Sequence, residues 1–223
     1  MIALLDLRQT LDAFAACNDD HDVWASFGWV HASEGDLLTA RFWLSADEDA
    51  AFDDDGEVPE AVQALGLSAC LEPATFAAVL DVQKRQRPLS SLQDYAEALA
   101  YYAEYDAFLQ VDGVDEALGE AGATEQDAAR AAGVGPGIFA AFELTLAACA
   151  GEQIKAAAQR VAQLLDIPVG EALARCRALP VLLGKALDRR RAQAIKDDFE
   201  AIGVRVQVQG FKPFPWMDVP VLR

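Results

Sequence analysis

The chain has 223 residues, and its 36 acidic side chains against 18 lysines and arginines give a formal net charge of −18. Nucleic acid and anionic membranes would repel this charge, so neither is expected as a partner. No apolar run approaches the roughly 20 residues that span a bilayer, and the first residues lack the basic start of a signal peptide. With 53% hydrophobic residues, the composition predicts a folded, cytoplasmic protein.

The charge is unevenly distributed along the chain. Residues 1–110 carry a net charge of −16, residues 111–150 carry −6, and residues 151–223 carry +4. This break predicts two domains. The order of the predicted helices and strands assigns both to the α+β class. The predicted parts are an acidic α+β domain (1–110), a connector with a short helix (111–137), a β-α-α-β-α-β domain (138–210) and a proline- and aromatic-rich tail (211–223).

Periodicity at the start of the first domain predicts a helix followed by an antiparallel hairpin. Leucines and a phenylalanine spaced three and four residues apart indicate an amphipathic helix over 4–16. Apolar and polar residues then alternate over 23–30 and again over 38–44, which indicates two strands. The short turn between these strands favours their pairing as a hairpin.

Proline, glycine and serine mark the later elements of the first domain. Pro59 and Gly66 enclose a short predicted helix, and a strand is expected over 67–71. Pro73 opens a longer helix that ends in cations, where the helix dipole favours them. Ser90 is the predicted N-cap of the helix that follows.

A strongly acidic segment follows the hairpin. Its charged residues are Asp47, Glu48, Asp49, Asp53, Asp54, Asp55 and Glu57. If Gly56 took the sixth position of an EF-hand loop, Ala51 and Val62 would stand where calcium ligands are required, so no metal site is predicted. The segment is interpreted as a solvated loop, with a docking surface for a basic partner as the functional alternative.

No pattern of catalytic residues stands out. The four cysteines lie far apart, and His21 and His31 are the only histidines. Cys17 and His21 are spaced to share a helix face, as a thiolate and its base would, but Asn18-Asp19-Asp20 favours a helix end between them. The chain is predicted to be non-enzymatic, without metal or cofactor. The alternative is an unrecognised hydrolase that uses Cys17, His21 or the pair Tyr105-Asp106.

Aromatic residues are concentrated near the end of the first domain. The string Tyr101-Tyr102-x-x-Tyr105-Asp106-x-Phe108, after the hairpin and the acidic segment, resembles a bacterial family of unknown function associated with immunity proteins of toxin systems. The resemblance covers about the first 110 residues and implies a protein-binding role. Packing of the tyrosines on the hairpin is favoured over a catalytic Tyr-Asp pair. Tyr101, Tyr105 and Asp106 are candidate partner contacts.

Three stretches of the second domain are distinctive, and they are Val169-Gly170-Glu171-Ala172, Ala178-Leu179-Pro180, and residues 192–196 together with 203–206. With these stretches the second domain resembles the C-terminal domain of the bacterial ribosomal stalk protein. The resemblance implies a β-α-α-β-α-β fold that recruits translational GTPases through cations on its first two helices. The corresponding positions here are Ile154, Gln159, Ala162, Gly170 and Leu173. Without those cations, the electrostatic part of that contact is missing.

Three arginines and a tail tryptophan are further candidate contacts. Arg189, Arg190 and Arg191 open the third helix of the second domain, where cations oppose the helix dipole. They are interpreted as a solvated face or, alternatively, as a patch that pairs with an acidic surface of the same or a second molecule. Trp216 lies in a tail that either docks on a domain or presents an exposed partner anchor.

Together these features predict an immunity-type binding protein. Its acidic first domain would neutralise a basic toxin or effector protein. The alternative is a translation-associated protein that contacts the ribosome or a GTPase through the stalk-like domain. Self-association is compatible with either function.

Overall fold

The structure divides the chain into two compact units. A computed structural model describes residues 3–53, 55–114 and 119–223, without the side chain of Glu48. The first unit extends to Phe139 and also includes Pro213–Met217, and the second comprises Ala140–Lys212 and Asp218–Arg223. Both units combine helices with antiparallel strands, in agreement with the predicted α+β class. No helix in this described part of the chain is long and apolar enough to cross a membrane.

Two helices begin the first unit. A capping box starts α1 (Leu7–Ala15), since Asp6 and Gln9 each accept a hydrogen bond from the other's amide. The next element is α2 (Asp20–Ser26), whereas a strand was predicted over 23–30. That prediction is wrong up to residue 29. Asp19 accepts a hydrogen bond from the Asp22 amide (2.9 Å) and thereby starts a helix, and residues 27–29 lead from this helix to the first strand, which begins at Val30.

Three short strands form the sheet of the first unit: β1 (Val30–Ser33), β2 (Phe42–Leu44) and β3 (Leu67–Leu71). The central strand, β1, pairs antiparallel with both neighbours. The β1–β2 pair confirms that an antiparallel hairpin is present, but β1 begins at Val30, the last residue of its predicted range, and extends to Ser33. In the second strand, residues 38–41 precede β2. The strand predicted over 67–71 is confirmed.

The other helices described in the first unit are α3 (Glu48–Ala51), α4 (Glu60–Gln63), α5 (Pro73–Gln86), α6 (Leu92–Tyr105) and α7 (Ala123–Ala131). As predicted, α5 begins at Pro73 and has cations in its last turn, and its apolar side is buried. The N-cap of α6 is Ser91 and not the predicted Ser90, and Asp94 completes its capping box. Ser90 is buried instead, and its hydroxyl accepts a hydrogen bond from the Gln83 side chain (3.0 Å).

The segment Pro213–Met217 contributes to the core of the first unit. Phe214 is fully buried, and the Trp216 ring stacks on it with centroids 5.0 Å apart. Trp216 also donates from Nε1 to Asp12 Oδ1 (2.9 Å), and Tyr95 contacts both rings edge-on. This part of the tail is therefore docked, which is one of the two arrangements expected from the sequence.

The second unit has the predicted element order. It consists of β4 (Ala141–Leu146), α8 (Ile154–Leu165), α9 (Val169–Arg177), β5 (Val181–Leu187), α10 (Arg189–Glu200) and β6 (Gln207–Phe211). Its sheet has the order β5-β4-β6, and β4 is antiparallel to both neighbours. Asp188 caps α10 by accepting a hydrogen bond from the Arg191 amide (2.9 Å).

The last residues, Asp218–Arg223, pack on the second unit. Lys196 Nζ and Gln193 Nε2 donate to the carbonyl of Arg223 at 2.9 and 3.0 Å. Pro220 lies so close to Gly210 in β6 that no Cβ would fit there. This contact explains why β6 has a glycine at that position.

Candidate protein-docking surface

The residues of the predicted acidic segment lie on the surface of the first unit. Those that the structure describes are exposed, namely Asp47, Asp49, Asp53, Asp55 and Glu57. Asp54 and the side chain of Glu48 lie outside the described residues. Asp47 Oδ1 accepts a hydrogen bond from Ala50 N (2.8 Å), and Asp53 Oδ1 accepts from two amides of its own turn (2.9 and 3.0 Å). The negative charges are therefore held in place by their own backbone.

The most exposed aromatic side chain among the described residues lies on α2. Trp24 is 65% exposed, although a tryptophan has a large apolar ring to bury. Two cavities of about 380 and 200 Å³ open beside it, and Trp24 and Ala74 line both. The larger lies between α2 and α5, and the smaller extends from the end of α2 to the start of α5. We call Trp24 with these two cavities the Trp24 surface.

Each cavity of the Trp24 surface is lined by two carboxylates. Asp20 and Asp81 line the larger cavity, and Asp47 and Glu72 line the smaller one. None of the described residues that line them is a lysine or an arginine. Arg85 approaches from the next turn of α5 and pairs with Asp81 (3.0 Å). The surface thus surrounds an exposed indole with negative charge.

Local helix geometry produces this arrangement. Asp20 and Trp24 are four residues apart on α2 and therefore lie on one face of it, while the neighbouring Val23 is fully buried. Glu72 is the N-cap residue of α5, but its side chain makes no capping hydrogen bond. Its carboxylate remains available to a partner.

Sequence analysis missed Trp24, Asp20, Glu72 and Asp81. The alternation from Val23 to Val30 suggested a strand, which would have placed Trp24 in a sheet. A signal in the sequence could have located α2. Asp19 is a typical N-cap residue, and acidic residues follow it in the first turn, as is common where helices begin. Of the predicted contacts, only Asp47 lines a cavity of the Trp24 surface.

The tyrosines at the end of α6 form a second aromatic surface. Tyr101 lies against Tyr105 with ring centroids 4.7 Å apart, and Tyr102 lies against Phe108 at 5.2 Å. Tyr105 is 58% exposed, so the packing on the hairpin expected from the sequence is not found for it. A hydrogen bond to Asp106 raises the pKa of Tyr102. Asp106 ends α6 with a left-handed backbone (φ 50°).

A buried lysine lies next to the larger cavity. Lys84 is 2% exposed, and its Nζ donates to the carbonyls of Gly137 and Pro213. Burial lowers its pKa to about 7, an effect that the charge of Asp81 opposes. Its Nζ also lies 5.7 Å from the centroid of the Phe214 ring. These contacts give Lys84 a structural role that joins three segments of the first unit.

The cysteine and histidine of the hydrolase alternative do not lie on a common helix. Cys17 follows α1, and His21 belongs to α2. Burial raises the pKa of the Cys17 thiol, whereas an activated nucleophile needs a lowered one. Neither residue lines the two cavities of the Trp24 surface, and the same is true of Tyr105 and Asp106. Across the described residues, no three acidic, histidine or cysteine side chains are grouped to hold a metal ion.

The arginines at the start of α10 lie in the second unit. Arg189 donates to the carbonyl of Val221 (3.0 Å), and its guanidinium lies 5.4 Å from the centroid of the Phe142 ring. Arg190 and Arg191 are exposed side chains on the same turn. Arg189 thus helps to hold the C-terminal residues.

Comparison with known proteins finds a family model that is similar to the first domain. Residues 6–111, just under half of the chain, match a family described as Domain of unknown function (DUF7716). The match confirms that the first domain is similar to a family of unknown function, and it includes Trp24 and all four carboxylates of the Trp24 surface. No curated protein and no solved structure matches the chain. The likenesses to immunity proteins and to the ribosomal stalk protein stay predictions.

Proposed function

We propose that this chain is a non-enzymatic, immunity-type protein that binds a basic toxin or effector protein through its acidic first unit. The Trp24 surface carries the proposal. Hot spots of protein interfaces are rich in tryptophan, which packs into a desolvated centre while charged groups form the rim. An exposed indole with carboxylates on both sides has this composition.

Charge explains why the partner would be basic. Residues 1–110 have a net charge of −16, and the exposed acidic segment adds to the field around Asp47. A field of one sign speeds encounter with a partner of opposite sign and disfavours acidic competitors. Such binding neutralises a toxin by covering the basic residues with which it contacts its own target.

The test is capture of the partner with matched variants of the tagged protein. We expect Trp24→Ala to weaken the complex about 30-fold or more, since truncation of a hot-spot residue costs at least about 2 kcal/mol. Leu65→Ala is the control, because it truncates another exposed apolar side chain of the same unit that lines neither cavity. Affinities of the purified pair at several salt concentrations provide the measurement, and binding should weaken as salt increases.

Two results would contradict the proposal. One is a partner that binds Trp24→Ala as tightly as the unmodified protein. The other is specific co-sedimentation with ribosomes or capture of a translational GTPase, which the stalk-like second domain would explain. A groove of about 590 Å³ on α8 and α9, where Val169 is 54% exposed, is the feature that favours this second function.

A further inference from the structure

The larger cavity of the Trp24 surface has the size and walls of a side-chain pocket. Its volume of about 380 Å³ is near the lower end of the range for small-ligand sites, roughly 300–1,000 Å³. Apolar residues line most of it, including the buried Val23 and Ile138. A pocket of this kind suits one long side chain whose stem is apolar and whose end is polar.

The polar groups at this cavity are suited to a flat cation. Trp24 presents an indole that is 65% exposed, and Asp20 and Asp81 add negative charge from two different helices. A guanidinium stacks on aromatic faces, and its fork of N–H donors matches carboxylates. An ammonium is more strongly hydrated and has no flat face, so arginine fits better than lysine.

The protein's own cations leave these groups available. Arg85 pairs with Asp81, but the two side chains are 48% and 37% exposed, and exposed pairs of this kind exchange easily. Lys84 directs its Nζ to the carbonyls of Gly137 and Pro213, so its amine is bonded to backbone and does not line the cavity.

Given the basic partner proposed above, we propose that the cavity between α2 and α5 takes one arginine side chain of that partner. The guanidinium stacks on the Trp24 indole and pairs with Asp20 and Asp81. The apolar walls cover the methylene groups of the same side chain. This pocket is the part of the Trp24 surface that selects the partner.

The pocket can be tested without knowing the partner. The full chain, labelled with ¹⁵N, is titrated with N-acetyl-L-arginine methylamide while the indole N–H signal of Trp24 is followed by NMR. Loss of that signal in Trp24→Phe provides the assignment. We expect a saturable shift, and a response at least about tenfold weaker to the citrulline derivative, which has nearly the same shape without the charge.

Variants of the acidic residues provide the specificity control. Asp20→Asn should weaken binding of the arginine derivative about threefold, in keeping with an exposed charge pair. Glu125→Gln, an exposed carboxylate on α7, should leave it unchanged. Asp20 lies at an exposed helix start, so its amide variant is expected to fold, and unchanged backbone signals would verify this.

Several outcomes would overturn the arginine pocket. They are equal binding of the arginine and citrulline derivatives, equal binding of the lysine derivative, and an arginine response that Asp20→Asn and Asp81→Asn both leave unchanged. Capture of a basic partner through Trp24, with no binding of the arginine derivative, would reject the pocket and retain the proposed function. Binding of the derivative, with no partner dependent on Trp24, would support the pocket and reject the proposed function.

Discussion

At the scale of single residues, Lys84 is an unusual use of a charged side chain. Its amine is buried and donates to two backbone carbonyls, those of Gly137 and Pro213. A neutral amine has two N–H groups, which match these two acceptors. An ammonium has a third N–H group and a charge to desolvate, and the nearby Phe214 ring and the charge of Asp81 offset part of this cost.

We expect the free energy of unfolding to rise as the pH increases from 7 to 8.5. The unfolded chain keeps Lys84 protonated up to its ordinary pKa of 10.5, whereas the folded chain loses this proton at about 7. In this window the unfolded state binds more protons, so increasing pH favours the folded state. The gain is at most about 2 kcal/mol over 1.5 pH units. Urea unfolding at constant ionic strength measures it.

Lys84→Met is the matched variant for this experiment, and it should show no such slope. The substitution leaves two buried carbonyls without their donor, at a cost of about 1–3 kcal/mol each. The window ends at pH 8.5 because burial raises the pKa of Cys70 to about 11, and a thiol that ionises first in the unfolded state gives the opposite slope. A slope that persists in Lys84→Met would show that another group is responsible.

At the scale of elements, β6 packs closely against the C-terminal residues because it has a glycine at the point of contact. Pro220 occupies the space in which a Cβ of Gly210 would lie. We expect Gly210→Ala to displace Asp218–Arg223 and to cost about 2 kcal/mol, as a side chain forced into a filled site does. Hydrogen exchange at the Arg223 amide, which donates to Gln193 Oε1 (3.0 Å), reports the displacement.

Gly151→Ala is the control for this substitution. No atom lies within 4 Å of the Cβ that it would add, and Gly151 is exposed in the same unit. The free energy of unfolding of the Gly151→Ala variant should differ from that of the unmodified chain by less than about 1 kcal/mol. Equal protection of the Arg223 amide in Gly210→Ala and in the unmodified chain would mean that β6 does not depend on this glycine.

Elements with strong local signals could be predicted from the sequence, and those without them could not. In the second unit, Asp188 is a typical N-cap residue before α10, and buried and half-buried residues alternate along the end of β4, so both elements have strong local signals. By contrast, α2 has seven residues and buries only Val23, so it shows no helical periodicity. The position of the Trp24 surface depends on how α2 packs beside α5, which is tertiary information. The same is true of Lys84, whose acceptor Pro213 lies 129 residues further along the chain.

At the scale of the whole molecule, a distant segment completes the first unit. We expect Phe214→Ala to lower the stability of the first unit by about 3–5 kcal/mol, because it empties a fully buried site. The four tryptophans all belong to the first unit, so tryptophan fluorescence reports its unfolding without the second unit. In Phe214→Ala, the midpoint of the fluorescence transition should shift to a lower urea concentration.

Val221→Ala is the matched control, since Val221 is 75% exposed and should leave the fluorescence transition unchanged. Hydrogen exchange in α8 to α10 reports on the second unit, and hydrogen exchange in α5 reports on the first. Equal loss of protection in these helices and in α5 would mean that Phe214 stabilises both units, contrary to the expectation.

The return of Pro213–Met217 to the first unit also determines when that unit can finish folding during synthesis. The ribosome releases the N-terminal end first, so α1 to α7 emerge long before Phe214 exists. At about 5–20 residues per second, translation of the intervening second unit lasts on the order of ten seconds. Over that interval the nascent first unit lacks the contacts of Tyr95 with Phe214 and Trp216, and Lys84 lacks one of its two carbonyl acceptors. The first unit can therefore complete its core only after the second unit has been synthesised.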